Sequence, residues 1–199
     1  MNPLTTILGA IISGVVLTIV LLLVITGQGA ELHGIQVDRW LHIVSGITWI
    51  GLLYYFNLVQ VPGMAAAAAD SGGPGGAGIS KYIAPRALLW FRWAAVATWI
   101  TGAYYLASGY GDHANFIKAF TLQPGFRTIG IGAWLGTFML FNVWVFIWPN
   151  QKKILGLVPA TDAEKASARK VALYASRTNF ILSLPMLLCM GGQSHGLGF

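Results

Sequence analysis

Long apolar runs alternate along the chain with short polar breaks. The runs cover Leu4–Thr26, Val37–Val61, Ala87–Ser108, Thr128–Trp148 and Val171–Met190. At 1.5 Å per residue, about 20 residues of helix cross a hydrocarbon core of about 30 Å. Backbone groups inside lipid must find partners within their own segment, so each run is predicted to be a helix. The pattern predicts an all-α integral membrane protein: a bundle of about five transmembrane helices, forming a single domain over residues 1–199. Trp40, Trp90, Tyr110 and Trp148 fall near the predicted ends, where aromatic side chains anchor at the membrane–water interface.

The breaks differ in character. Residues 64–80 hold a run of alanines followed by SGGPGGAG, a composition that predicts a flexible loop. Gly109–Arg127 is polar with an aromatic cluster. Pro149–Lys170 opens with PNQKK and closes with an amphipathic lead-in to the last helix. The first run lacks a basic leader and is longer than the apolar core of a signal peptide, so it reads as a span.

Composition agrees. Hydrophobic residues make up 56% of the chain and charged ones 9%, against roughly 25% charged in soluble domains. The net charge of +6 is not arranged as a basic stripe interleaved with aromatics, so nucleic acid is not an expected partner. It reads instead as topology. Lys81, Arg86, Lys152, Lys153, Lys165, Arg169, Lys170 and Arg177 fall on one side of the predicted spans, and Arg39, Lys118 and Arg127 on the other. The positive-inside rule then expects a cytoplasmic N-terminus and a periplasmic C-terminus. The lone Cys189 sits in an apolar run and reads as a small packing residue.

In this arrangement all four histidines, His33, His42, His113 and His195, belong to the outer side. His42 is the one embedded in a span, where an ionisable side chain is costly and points to function. Its helical face continues through Gly46, Trp49 and Leu53, and a glycine one turn away leaves room for a flat ring. That suits a heme held by an axial imidazole; a histidine hydrogen-bonded across helices, with no cofactor, explains the same residue. His195, at similar depth, is the expected second ligand. His113 and His33 are loop alternatives, and Met139, Met186 and Met190 are thioethers within reach of the same reasoning. Four histidines could also hold copper or zinc, although no close-spaced pair occurs. Arg39 and Arg127 could pair with heme propionates or simply anchor at the interface. Asn57, Asn142 and Asn179 are read as links between helices, and Gly132 and Gly136 as a G-x-x-x-G close approach. Arg92 and Arg177 can snorkel. All six acidic residues are placed in loops. No nucleophile motif, phosphate loop or carboxylate pair is present.

Several strings carry a resemblance. WLHIVSGITWIG (40–51), FRWAAVATWITG (91–102), FMLFNVWVFIWPNQKKI (138–154) and RTNFILSLPMLLCMGGQSHG (177–196) resemble the membrane domain of the bacterial membrane-bound urate oxidases, also called urate hydroxylases. The resemblance implies a multi-helix domain passing electrons from a substrate toward cytochrome c. By motif, His42 and His195 match that family's histidines, and Asn142 and Asn179 its asparagines. The chain departs at Thr178, where a histidine is expected beside Asn179. With no C-x-x-C-H, it is expected to be a short form lacking the cytochrome c domain.

The sequence therefore predicts a multi-pass protein of the bacterial inner membrane with the lipid bilayer as its surroundings. The leading function is a redox protein binding heme b near the outer leaflet. It would exchange electrons with a separate periplasmic or membrane cytochrome c, as a urate oxidase-like oxidoreductase. The alternative is a non-catalytic accessory subunit packed against a larger membrane complex. A transporter of heme or metal, or a porphyrin-handling enzyme, is a third reading. A filled axial site at His42 separates the first from the second.

Overall fold

The structure, a computed structural model, describes residues 2–108 and 114–199. The described residues are helical, with no strand among them. The chain divides into two compact units, residues 1–37 and 38–199.

In the first unit, helix α1 covers Ile7–Gly27. Thr6 caps it by accepting a hydrogen bond from the Gly9 N–H at 3.0 Å. The sequence of α1 is apolar on every side, and none of its residues is buried within the chain. Such a helix is suited to a lipid environment and to little else.

The second unit contains α2 (Gly34–Ala69, whose first residues belong to the first unit), α3 (Ala84–Ser108), a short α4 (Ala114–Phe120), α5 (Arg127–Ile154) and α6 (Asp162–Gly192). Four helices among the described residues, α1, α2, α5 and α6, are long and apolar enough to cross a membrane. The segment predicted as the third span is also a helix, α3, of 25 residues. Its apolar character is diluted by Arg92 and by Trp90, Trp93, Thr98, Trp99 and Thr101. The class is thus a multi-pass helical membrane protein. The alanines expected in the flexible loop are helical instead: α2 runs past Val61 to Ala69, as alanine, the best helix former, allows.

Three helices share a device found before a proline, although Pro185 inside α6 does without it. Proline lacks an N–H, and its ring crowds the carbonyl four residues back. Immediately before Pro62, Pro85 and Pro149, the N–H groups of Val61, Ala84 and Trp148 reach five residues back, to the carbonyls of Phe56, Ile79 and Val143. One widened π turn relieves the crowding and lets each helix continue.

The core is formed by Trp49 and Leu53 from α2, Phe91 and Ala95 from α3, Met139 and Val143 from α5, and Met186 from α6. Polar links lie inside it. Asn142 donates to the Asn179 side chain at 2.9 Å, and Asn179 donates to the Met139 carbonyl at 3.0 Å. Asn57 donates to Ser176 Oγ at 2.9 Å. The asparagines therefore join helices, as a low-dielectric interior favours. Gly132 does the same by absence: a Cβ there would lie 2.9 Å from Cys189 Cβ.

The ends of the helices are closed locally. Thr161 and Glu164 form a reciprocal capping box at the start of α6. The chain after α6 folds back to cap α5. The Gln193 side chain accepts from the Ile129 N–H at 3.0 Å, the Phe199 carbonyl accepts from the Arg127 N–H at 3.2 Å, and the Leu197 carbonyl accepts from the Thr128 hydroxyl. The bonds from Arg127 and Ile129 occupy N–H groups that a helix start leaves without partners. Large apolar side chains such as Trp90, Ile100, Leu184 and Leu188 remain exposed, the expected surface for a protein bathed in lipid rather than water.

Candidate functional site

His42 comes off α2, and its Nδ1 lies 2.8 Å from the Thr98 carbonyl of α3 and 3.3 Å from Thr101 Oγ1. A carbonyl only accepts, so Nδ1 carries the proton, and the neutral ring keeps its lone pair on Nε2. The approach depends on Gly102. A Cβ at that position would sit 2.8 Å from His42 Cε1 and 3.1 Å from Nδ1. The sequence thus places a side-chain-free position on α3 where the imidazole must lie, and a carbonyl one turn earlier that fixes its tautomer.

His42 lines a cavity between α2, α3, α5 and α6 of about 90 Å³, enough for several waters. Its walls are nearly all apolar. Trp49, Trp99 and Phe120 supply aromatic faces, and Met186 and Met190 supply thioethers. Gly136 and Ala133 open the α5 side, and nothing lies within 4 Å of a Cβ placed at Gly136. Trp99 is held in place by its indole N–H, which donates to Thr137 Oγ1 at 2.9 Å. The arrangement can orient one nitrogen donor in a dry, flat-walled space with soft sulfur atoms nearby.

Of the described histidines and arginines expected at the site, His42 alone lines this cavity; of the methionines, Met186 and Met190 line it and Met139 does not. His195 is exposed in the segment that caps α5, with its Nδ1 2.7 Å from the Gly191 carbonyl. His33 is exposed and 3.5 Å from Glu31. His113 lies outside the described residues. Arg39 is exposed, and Arg127 is stacked over Phe199 at 5.7 Å; neither lines the cavity. Among the described residues no group of three or more His, Cys, Asp or Glu side chains gathers as a metal cluster.

Two readings of the sequence are corrected. Gly46 does not make room for a ring beside His42: it faces Thr98 Cγ2 at 3.8 Å, in ordinary helix contact, and the room comes from Gly102 and Gly136. The acidic residues are not all in loops. Asp38 lies in α2, one turn before His42, buried at 9% exposure with Oδ2 lacking a hydrogen-bond partner. Asp162 and Glu164 form the first turn of α6. Sequence reasoning also missed Thr98, Thr101 and Gly102. Their signal was the small residues at helical spacing in FRWAAVATWITG, where Ala94, Ala95, Thr98 and Gly102 share one face.

The fold and the half-buried histidine define a multi-pass helical membrane protein with a donor-bearing cavity among the described residues. Residues 114–199 match the family described as urate oxidase N-terminal. This stretch carries α4, α5 and α6, and so Met186, Met190 and the α5 wall of the cavity; the resemblance to the urate oxidase membrane domain stands on it. His42 and the α3 residues that hold it lie before the matched region. No curated protein and no solved structure matches the chain.

Proposed function

We propose that this protein is a membrane redox protein that holds one heme b at His42. It would pass electrons to or from a separate cytochrome, in the manner of a urate oxidase membrane domain. The observation carrying the proposal is the pairing of His42 Nδ1 with the Thr98 carbonyl. A metal-bound histidine ordinarily donates its other ring N–H to such an acceptor, which fixes the ring and leaves the opposite nitrogen for the metal. The likeness of residues 114–199 to the urate oxidase N-terminal family supports the redox class.

The donors present fit a heme. Nε2 of His42 would hold the iron, and Met186 and Met190, which line the same cavity, would offer a thioether as a second donor. The apolar walls would exclude water and raise the cost of a net charge at the centre. The void is smaller than a porphyrin, so seating one requires it to widen. A side chain suited to yield is Leu106, on its lining. Bound heme supplies one-electron chemistry; the protein's own part is to hold the imidazole, exclude water and present an edge to a partner. Urate, the substrate in the matched family's name, is the narrow version of this reading.

The test is a reduced-minus-oxidised absorption spectrum of the purified protein and of four variants. A b-type α band lost in His42→Ala and altered in Met190→Leu, with His195→Ala unchanged, is the expected result. A band lost in His195→Ala but kept in Met190→Leu and Met186→Leu would assign the second ligand to His195. A protein without the band, purified from cells that make heme, would leave the accessory-subunit reading in its place.

A further inference from the structure

A second feature, which shares Trp99 with the His42 cavity, lies between α3 and α5. An open groove of about 410 Å³ runs between these helices, lined by Val96 and Trp99 on one side and Leu140, Trp144 and Val145 on the other. Its lining is apolar. At one end of the same two helices the character changes. Arg92 lies one turn before Val96 on α3, and its guanidinium carbon sits 3.9 Å from the centroid of the Trp148 ring on α5. Lys152 Nζ approaches the same ring at 6.0 Å. Leu140, Trp144, Trp148 and Lys152 follow one another at four-residue spacing, so a single stripe of α5 leads from apolar to aromatic to cationic. Trp93 packs edge-on against Trp144 at 5.4 Å.

The charges at that end have no carboxylate to meet. The ion pair found among the described residues is His33 with Glu31, elsewhere in the chain. Asp162 and Glu164 start the neighbouring helix, and neither forms an ion pair with Arg92 or Lys152; Glu164 is engaged in its capping box. A guanidinium stacked on an indole keeps its edge donors free, and that edge matches two phosphate oxygens.

We propose that this groove is a binding site for one anionic phospholipid. Its phosphate would sit between Arg92 and Lys152 over Trp148, and an acyl chain would lie in the channel past Val96, Trp99 and Leu140. The apolar groove alone would accept any lipid; the unpaired cations at its end select the anionic headgroup. Basic pockets between membrane helices recognise lipids in this way.

The test is native mass spectrometry of the full chain in detergent, titrated with phosphatidylglycerol and phosphatidylcholine bearing the same acyl chains. One phosphatidylglycerol per chain should be retained, about tenfold or more in preference to phosphatidylcholine. Removing each cation should weaken it about fivefold, so Arg92→Gln with Lys152→Gln should bring it to the phosphatidylcholine level. Lys165→Gln, which removes a cation away from the groove, should leave retention unchanged. Val145→Trp keeps both cations while filling the groove, and should lower retention of both lipids, with thermal unfolding confirming that each variant is folded. Equal retention of the two lipids, equal loss in Lys165→Gln and the double variant, or displacement of the lipid by inorganic phosphate would overturn the proposal. So would a dimer forming in place of bound lipid, which would make a second copy the occupant.

Discussion

Gly132 and Gly136 lie one turn apart on α5 and form the same sequence motif, yet they do opposite things. At Gly132 the missing side chain lets α6 approach, and a Cβ would meet Cys189 at 2.9 Å. At Gly136 the missing side chain is left as space, and the position lines the His42 cavity. The polar residues divide in the same way. Asn142 and Asn179 are spent on each other and on the Met139 carbonyl, inside a filled core. His42 is tied through one nitrogen only and keeps the other for the cavity. The difference shows that small and polar residues in a membrane helix do not announce their role. What decides is whether the neighbouring helix fills the space or leaves it.

The sharpest way to break this comparison is at His42. His42→Ala should abolish heme binding entirely while leaving the assembled bundle intact, because the imidazole supports a cavity rather than a packed core. Gel filtration together with the heme spectrum checks both halves. Asn179→Ala should do the reverse. It removes a fully buried side chain and strands the Asn142 amide and the Met139 carbonyl. A loss of about 2–3 kcal/mol of stability is expected, read as a lowered unfolding midpoint in detergent, with the folded fraction keeping its spectrum.

Smaller effects sharpen the contrast. Gly102→Ala would push a methyl group against the imidazole. It should shift or split the heme band and cost about 1–3 kcal/mol by overpacking. Gly132→Ala should cost about as much with no spectral change, whereas Gly136→Ala should cost little stability and reduce heme occupancy. The smallest expected effect is Glu164→Ala, which removes one half of the capping box at the start of α6 and should lower stability by about 1 kcal/mol without touching the spectrum.

Much of this was legible in the sequence. The helices follow from apolar runs too long for anything but a span or a core helix, and His42 stands out as the histidine inside one. The bonding of the asparagines across helices follows from their burial in those runs. Three things were not legible. The acceptor for His42 is a main-chain carbonyl, and a carbonyl carries no residue type to recognise. Gly46 and Gly102 are equally bare in sequence, and only the facing of α2 and α3 shows which one the ring lies against. Asp38 stands at the edge of an apolar run, where a loop and a buried first turn of helix look alike. The widened turns before Pro62, Pro85 and Pro149 were half legible: a proline marks where crowding arises, but Pro185 lies inside α6 without such a turn, so the proline alone does not say which helix widens.

The most direct measurement of the central claim is the heme content of the full-length protein, purified in detergent from heme-sufficient cells and assayed as the pyridine hemochrome beside His42→Ala. One heme b per chain in the wild type and none in the variant is the predicted result. Equal heme in both, or none in either, would contradict a heme held by His42.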